Sequence, residues 1–535
     1  MRPNRTKGNA VNFALFHMLS PVAVPSSENC RKKGGRGDDL VHDRKPPVIR
    51  LLAILACLFA FHYFVLHELL GPLAVDEAYF AHVFWLMRHG QEIYTDFYAN
   101  HLPAYFYLLK PLLPPGGDTD LGFVWVLRAA SLATAIAYVG LLWTLARRDF
   151  LFLLPFLFLF LVFGRMTEVR PDTFGLLLFN AAWFALLKGL SRRHMLVAGL
   201  LVGLALCFSA RAAVMAVGMA VLLAGVCMGR RDQRTLVMLA GMGTAFFALL
   251  GLAYLAAPEW VGTIIRLVYL EPIGIMPNVP LASRLLPVDR LLMVLLMVIA
   301  LAAGALRRRE DKGLVVLAAC ATQLILILID PSPFQYVYGW AALPTLAGLS
   351  LLGDRAPSRL HLNLAVSAAS LALIVTVLSL LGTTPRPGAI LRLSYDRPFA
   401  QRELAAASTP RLLQLATRSE RLQGLWNQLA LYSEICRRLP GPVLTKFYAN
   451  LICQRDALYD WAGLQWPPIF EDDASTASRA EFERLLAGNP PVLVAWGKQD
   501  HVPKLNPWGR ALLADYDIYE GYALRRAWLT RPGRA

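Results

Sequence analysis

The 535-residue sequence has few charged residues for its length. Charged residues make up only 17% of it, hydrophobic residues make up 56%, and the mean hydropathy is +0.46. A soluble globular domain carries roughly 25% charged residues, so this composition predicts a membrane protein. The net charge of +16 does not indicate nucleic-acid binding, because the lysines and arginines form short clusters between apolar segments.

Three kinds of sequence pattern are missing. The seven cysteines contain no CxxC pair and no spacing typical of metal ligands. No glycine-rich nucleotide-binding loop occurs anywhere in the chain, and there is no internal repeat. The sequence therefore gives no support for a metal-ligand cluster or for a nucleotide-bound substrate, and it departs from the repeated architecture common in transporters.

Long apolar runs predict an α-helical polytopic membrane protein with about eleven transmembrane helices. The predicted spans are residues 48–70, 121–146, 149–164, 173–189, 194–209, 210–228, 235–257, 288–306, 312–330, 335–352 and 362–382. The loops on one side of these spans contain 14 Lys and Arg residues against five Asp and Glu residues. That bias places these loops in the cytoplasm of a multi-pass protein of the plasma (inner) membrane.

The chain divides into three predicted domains. Residues 1–46 are polar and basic and are predicted to be a disordered cytoplasmic N-terminus. Residues 47–382 form the transmembrane domain, whose first outer loop is residues 71–120. Residues 383–535 are predicted to be a small α/β domain outside the cytoplasm, on the same side as that loop.

The pattern within the predicted C-terminal domain is helix followed by short strands. It comprises a helical stretch, two strand candidates and a closing alternating run, at Leu412–Arg438, Pro442–Leu444, Pro491–Trp496 and Tyr516–Ala523. Cys436 and Cys453 are the two cysteines of this domain, and an oxidising compartment favours a disulfide between them. Two separate thiols are the alternative.

The first outer loop carries more polar and aromatic residues than a simple connection needs. It opens with Asp76 and Glu77, and apolar residues then recur at helical spacing until Gly90 ends the pattern. Both carboxylates would lie at a helix N-terminus, where the helix dipole stabilises negative charge. A helix cap at the membrane surface and a functional carboxylate pair are both open interpretations.

A second polar cluster is predicted on the outer side, between the third and fourth spans. Pro171 suits the first turn of a helix, which would place Arg170 just before the helix and Asp172 within its first turn. Arg211 lies in the next outer turn, and Arg128 lies about two turns inside the second span. An arginine at that depth indicates a functional site, unless it reaches the interface or pairs with Asp172 or Glu168.

Carboxylates and arginines at an outer membrane surface suit sugar transfer from a lipid-phosphate donor. The acceptor hydroxyl loses a proton as it attacks the sugar, and a carboxylate can accept that proton. The leaving group is a phosphate, which needs cations more than it needs an acid. One base with several arginines fits this chemistry better than the two-carboxylate geometry of glycoside hydrolysis.

Several motifs together resemble the GT-C membrane glycosyltransferases, in the branch of protein O-mannosyltransferases and aminoarabinose lipid A transferases. They are the Asp76-Glu77 pair, YTDFYANHLPAYFYLL, EVRPD and DPSPFQYVYGWAALP. The resemblance covers roughly residues 48–350, and it implies the GT-C fold with an outer C-terminal domain. It also implies that Asp76 is catalytic, with Glu77 beside it, and that Arg128, Arg170 and Asp172 line the site.

The sequence departs from the lipid A branch at one motif. That branch has Glu-Lys-Pro-Pro where this chain has Asn100-His101-Leu102-Pro103. His101 therefore replaces a lysine that contacts phosphate in the family. The departure argues against aminoarabinose or lipid A as the particular substrate, while the expected fold and the role of Asp76 are unaffected.

The sequence thus predicts a glycosyltransferase with a polyprenyl-phosphate sugar donor and a lipid, glycan or protein acceptor. Asp76 would be the base, Glu77 and Asp172 would position it or the acceptor, and the donor phosphate would contact Arg128, Arg170, Arg211 and His101. Tyr79, Tyr98 and Tyr336 would line the substrate site, although Tyr336 also suits a membrane-interface anchor.

No cofactor follows from the sequence. A divalent cation between the carboxylates stays an open alternative that their spacing does not imply. A polytopic transporter or flippase of lipid-linked sugars is the alternative function.

Overall fold

A computed structural model of the chain separates residues 1–47 from one compact unit, residues 48–535. All residues described below belong to that unit. They are residues 69–71, 73–97, 99, 101–114, 120–146, 168–229, 234–256, 258–265, 288–329, 341–353, 401–417, 424–439, 443–445, 490–495, 506–519 and 522–529, with isolated positions at 51, 55, 479, 480, 483, 484 and 487. The predicted disordered N-terminus lies outside them.

The described part of the chain is mostly helical. Its helices before residue 360 are α1 Val75–Arg88, α2 Ala104–Leu109, α3 Phe123–Leu145, α4 Pro171–Lys188, α5 Arg192–Leu206, α6 Arg211–Gly229, α7 Arg234–Ala256, α8 Pro258–Ile264, α9 Val288–Leu306, α10 Asp311–Ile329 and α11 Ala342–Gly353. The helices α3–α7 and α9–α11 coincide with predicted membrane spans. A 3₁₀ turn, Lys110–Leu112, extends α2.

Three of the described helices are long and apolar enough to cross a membrane. These segments are Phe123–Leu145, Arg234–Leu255 and Asp311–Leu328. The helices α4–α6, α9 and α11 pack with them in one apolar cluster around buried side chains such as Trp183 and Tyr138. Most of the predicted span 48–70, and all of the predicted spans 149–164 and 362–382, lie outside the described residues.

Small residues let α5 and α7 approach closely. Gly199 and Gly203 form a small-xxx-small pattern on α5, and both face the backbone of α7. A Cβ atom added at Gly203 would lie 2.5 Å from the Met242 carbonyl oxygen. The contact between these two helices therefore depends on the absence of a side chain at these positions.

Four short strands and five helices make up the described part of the C-terminal region. They are α12 Gln401–Ala406, α13 Thr409–Thr417, α14 Leu425–Arg438, β1 Val443–Thr445, β2 Leu493–Ala495, α15 Pro507–Leu512, β3 Tyr516–Tyr519, β4 Tyr522–Arg525 and α16 Arg526–Leu529. The strands form one sheet in the order β1-β2-β4-β3. The β1 and β2 strands are parallel, whereas β2–β4 and β4–β3 are antiparallel.

The predicted small α/β region is thus confirmed, with two differences in detail. The helical stretch Leu412–Arg438 contributes to two helices, and α14 begins after Gly424, whose φ of 90° favours glycine. The closing run Tyr516–Ala523 is a hairpin of two strands rather than one strand. Cys436 is disulfide-bonded, and its predicted partner Cys453 lies outside the described residues.

A second apolar cluster joins the segment from Leu73 to Leu113 to the C-terminal region. It contains buried side chains from α1 and α2, from the start of α3, and from α13, α14 and the sheet. Phe80 and Phe84 of α1 share this cluster with Leu429 and Tyr432 of α14. The segment that contains α1 and α2 and the C-terminal region therefore have a common core.

Candidate active site

The first turn of α1 is held by its own glutamate. The backbone N–H of Ala74, just before the helix, donates a hydrogen bond to Glu77 Oε2 at 3.2 Å. Asp76 and Glu77 both lie in this turn, as predicted. Because helix N-termini carry unpaired N–H groups and a partial positive charge, two carboxylates are favourable here.

Glu77 and Arg128 form a buried ion pair. Glu77 Oε1 accepts a hydrogen bond from Arg128 Nε and Glu77 Oε2 accepts one from Arg128 Nη2, each at 2.6 Å. Arg128 Nη1 donates to the carbonyls of Leu69 at 2.7 Å and Gly71 at 2.9 Å, and the N–H of Val169 donates to Glu77 at 3.4 Å. Both side chains are buried, so the pair joins α1, α3 and the turn before α4.

Asp76 faces a different arginine. Its carboxylate accepts a hydrogen bond from Arg170 Nη2, and 44% of its side chain is exposed. Arg170 Nε donates to Glu168 Oε2 at 2.6 Å, and only 6% of the Arg170 side chain is exposed. Arg170 directly precedes Pro171, the first residue of α4. The start of this helix therefore fixes the backbone position from which the Arg170 side chain extends. The two polar clusters predicted from sequence therefore meet.

Asp172 is part of the same region and is buried in the first turn of α4. Its Oδ1 accepts a hydrogen bond from the Ser209 hydroxyl at 2.7 Å, and Arg211 Nη1 lies 3.8 Å from its Oδ2. Ser209 lies in the turn between α5 and α6, and Arg211 is the first residue of α6. The carboxylate thereby ties the N-terminal ends of α4 and α6 together.

His101 lies among these charges. Desolvation by the surrounding protein is the largest influence on its pKa and lowers it to about 4. The charges of Asp172 and Asp76 oppose this shift, whereas those of Arg211 and Arg170 add to it. The imidazole is therefore neutral at neutral pH. Its ring contacts Phe80 edge-on at 4.8 Å between centroids, and Tyr79 lies 6.3 Å away.

Four further positions complete the comparison with the predicted site. Tyr98 and Tyr336 lie outside the described residues. Sequence reasoning did not single out Ser209, because a serine in a short turn carries no distinctive signal. It also missed Tyr94, a non-glycine residue with a φ of 67° whose hydroxyl donates to the His101 carbonyl. Such backbone strain is common at functional loops.

No metal site is evident among the residues that the structure describes. There, no three His, Cys, Asp or Glu side chains converge as ligands. A cavity of about 200 Å³ lies at the opposite end of α4, lined by Lys188, Lys312 and Ser350 among others. It contains none of the predicted site residues.

The arrangement brings two kinds of group to one point. Asp76 is a partly exposed carboxylate, and Arg170 is a guanidinium held in place by Glu168. Arg211 and a neutral His101 lie close by. A carboxylate can accept a proton from a hydroxyl, and arginine binds phosphate oxygens well, so the site can serve acceptor activation and phosphate departure together.

Among known proteins, one solved structure reported below has a fold similar to that of this chain. No protein-family profile matches the sequence, and no curated protein matches it. The solved structure of ArnT from Cupriavidus metallidurans in the apo state aligns with 91% of this chain and 99% of its own, at a TM-score of 0.52 and 15% sequence identity.

Two other solved structures give lower TM-scores of 0.47. They are ArnT from the same organism bound to undecaprenyl phosphate, at 13% identity over 91% of this chain and 100% of that one, and the apo oligosaccharyltransferase of Archaeoglobus fulgidus, at 13% identity over 83% and 69%.

The fold and the apolar helices define a polytopic helical membrane protein with a small C-terminal α/β region. More particularly, the similarity to apo ArnT shows that the chain has the GT-C fold, as the sequence motifs predict.

Proposed function

We propose that this protein is an integral-membrane glycosyltransferase that uses a polyprenyl-phosphate-linked sugar donor. The observation that carries the proposal is the contact between Asp76 and Arg170 at the N-terminal ends of α1 and α4. It brings a proton acceptor with access to solvent next to a buried guanidinium that suits a phosphate. The GT-C fold is compatible with this chemistry.

The reaction is a single displacement at the anomeric carbon of the donor. The acceptor oxygen forms a new bond to that carbon, and the bond from the carbon to the phosphate oxygen breaks. The electron pair of the broken bond stays on the phosphate, and the polyprenyl phosphate leaves. Asp76 accepts the proton of the acceptor hydroxyl, whereas an acceptor that is already an ionised phosphate needs no base.

Arg170 would exchange partners during the cycle. Its Nε donates to Glu168 and its Nη2 donates to Asp76. Glu168 would therefore keep the guanidinium oriented when the hydrogen bond from Nη2 to Asp76 breaks. A donor phosphate that competes for Nη2 would release Asp76 as a free carboxylate. Binding of the donor would then prepare the base, which couples activation of the acceptor to the presence of the donor.

The other predicted site residues divide into two groups. Asp172 would position the cationic side of the site, because it contacts Arg211 and Ser209. Glu77 and Arg128 were expected to act in catalysis and in phosphate binding, respectively. Since they are buried and neutralise each other, we assign them instead to the structure of the loop.

The alternative of a transporter receives less support from the position of the charges. The acidic and basic residues of the site lie at or near the N-terminal ends of α1, α4 and α6. Transporters typically place such groups near the middle of the membrane, in broken helices. A site at one end of the helices suits chemistry on a lipid headgroup at the surface.

We further propose that the site and the C-terminal region face the outer side of the plasma membrane. The proposal rests on the excess of basic residues in the opposite loops. Reporter fusions after Gly117 and after Ala535 test it, and both should report the outer side. Opposite signals from the two fusions would contradict it.

The transfer activity can be tested directly on purified protein in liposomes. The substrates would be undecaprenyl phosphates carrying radiolabelled mannose, glucose, galactose or aminoarabinose, and the readout would be label released to water or to an added acceptor. We expect release from one of them, and its loss in Asp76→Asn. Movement of intact donor between leaflets, without release in either protein, would instead support the transporter.

A further inference from the structure

The helix α14 of the C-terminal region reaches the segment that leads into the site. Gln428 Oε1 accepts a hydrogen bond from the backbone N–H of Leu73 at 2.6 Å, across 355 residues of sequence. Only 1% of Gln428 is exposed. Its Nε2 donates to the hydroxyl of Tyr432 at 3.1 Å, one turn further along the helix, which fixes the orientation of the amide.

This hydrogen bond completes the support of a short stretch of backbone. Arg128 holds the carbonyls of Leu69 and Gly71, and Glu77 holds the N–H of Ala74. Among the described residues, Gln428 supplies the hydrogen-bond acceptor for the Leu73 N–H. Asp76 follows three residues later, within the first turn of α1, so the position of this stretch determines where its carboxylate lies.

Apolar contacts keep α14 against the same region. Trp426 packs on Trp125 of α3 with ring centroids 4.7 Å apart. Leu73 shares its buried cluster with Leu429 and Tyr432 of α14. The hydrogen bond from Leu73 is therefore shielded from water, and loss of the glutamine amide would leave a buried N–H without its acceptor.

We propose that Gln428 is a positioning residue for Asp76, so that the C-terminal region forms part of the active-site scaffold without contributing a reacting group. This inference rests on the proposed function, in which Asp76 is the base. Errors of about 1 Å in the position of a reacting group can lower turnover by roughly 100-fold. A side chain far from the substrate can thus control the rate.

Three variants test this role. Gln428→Met keeps the volume and removes the acceptor, Gln428→Glu keeps an oxygen that can accept from Leu73, and Tyr522→Phe is the matched control. Tyr522 donates to the Pro410 carbonyl at 3.1 Å within the C-terminal region, so its loss weakens that region without touching residues 69–77.

Two readouts separate positioning from stability. Hydrogen exchange of the peptide covering residues 70–80 should be about tenfold faster in Gln428→Met, close to wild type in Gln428→Glu, and unchanged in Tyr522→Phe. With the undecaprenyl-phosphate sugar that the wild type uses, kcat should fall about 10- to 100-fold in Gln428→Met with KM unchanged, and Gln428→Glu should recover much of it.

Unchanged exchange in Gln428→Met would overturn the proposal. So would an equal loss of kcat in Tyr522→Phe at the same melting temperature, since the effect would then be one of stability. If the wild type releases no sugar from any donor, the proposed function fails by itself, and the exchange measurement still decides whether Gln428 holds this segment.

Discussion

Glu77 and Arg128 are 51 residues apart in sequence and share two hydrogen bonds of 2.6 Å inside the protein. Asp76, the neighbour of Glu77, instead turns to Arg170 and to solvent. Adjacent carboxylates in one helical turn thus have opposite surroundings. This difference gives the first an available proton-accepting oxygen and the second a structural partner.

The ion pair predicts a large loss of stability when one partner is removed. Arg128→Met should lower the free energy of unfolding by about 3–5 kcal/mol, because Glu77 is then left buried and unpaired. Unfolding in detergent, followed by near-UV circular dichroism, measures it. Arg437→Met is the matched control, since Arg437 is 61% exposed beside Glu434, and it should cost less than about 1 kcal/mol.

A double variant sharpens this test. Replacing Glu77 with leucine together with Arg128→Met should destabilise less than the sum of the two single changes. Wild-type stability of Arg128→Met combined with weaker binding of undecaprenyl phosphate would contradict the structural role and favour phosphate binding by Arg128.

Asp76→Asn should leave the fold intact and lower turnover by roughly 10²–10⁴-fold, the usual effect of losing a general base. Asp517→Asn is a close control, because Asp517 is 42% exposed and also pairs with an arginine, Arg526. Its turnover should be that of the wild type. Wild-type turnover in Asp76→Asn would remove the assignment of Asp76 as base.

Arg170 should affect donor binding as well as turnover. Arg170→Lys keeps the charge but loses the guanidinium geometry that serves Glu168 and Asp76 together, so we expect only partial activity. Arg170→Ala should also weaken donor binding, measured with undecaprenyl phosphate by calorimetry. A lower melting temperature with unchanged donor binding would indicate that Arg170 only holds the turn.

His101 should make stability depend on pH. Its pKa is about 4 in the folded protein against an ordinary value of 6.5, so the unfolded chain binds more protons between these values. The free energy of unfolding is therefore highest above pH 6.5, and it falls by about 3 kcal/mol as the pH is lowered towards 4. His101→Gln should flatten this part of the profile of melting temperature against pH, and an identical slope would contradict the assignment.

The contact of α5 with α7 should not tolerate a methyl group. Gly203→Ala would place a Cβ 2.5 Å from the Met242 carbonyl oxygen, so the helices must separate, at a cost of about 1–3 kcal/mol. Gly251→Ala, on α7 with no atom within 4 Å of the added Cβ, should be neutral or slightly stabilising. Thermal unfolding compares the two, and equal melting temperatures would contradict the close packing.

The sequence by itself determined the class of fold. Long apolar runs must form helices in a bilayer, because the backbone groups of a lipid-exposed segment find hydrogen-bond partners only within the helix. A short apolar run likewise predicted the strand near Leu493, and alternation of apolar and polar residues predicted strand structure from Tyr516. The break at Gly424 was not predicted, since a glycine within a helical pattern does not reveal its φ.

Only the tertiary structure decided which charged groups meet. The sequence placed Asp76 and Glu77 side by side and suggested that both act in catalysis, Asp76 as the base and Glu77 as a positioning residue. In the folded protein the two side chains point in different directions around the helix, so Asp76 contacts Arg170 and Glu77 contacts Arg128. Contacts across long separations in sequence, such as Gln428 with Leu73, depend on how helices pack, and local residue patterns carry no information about that.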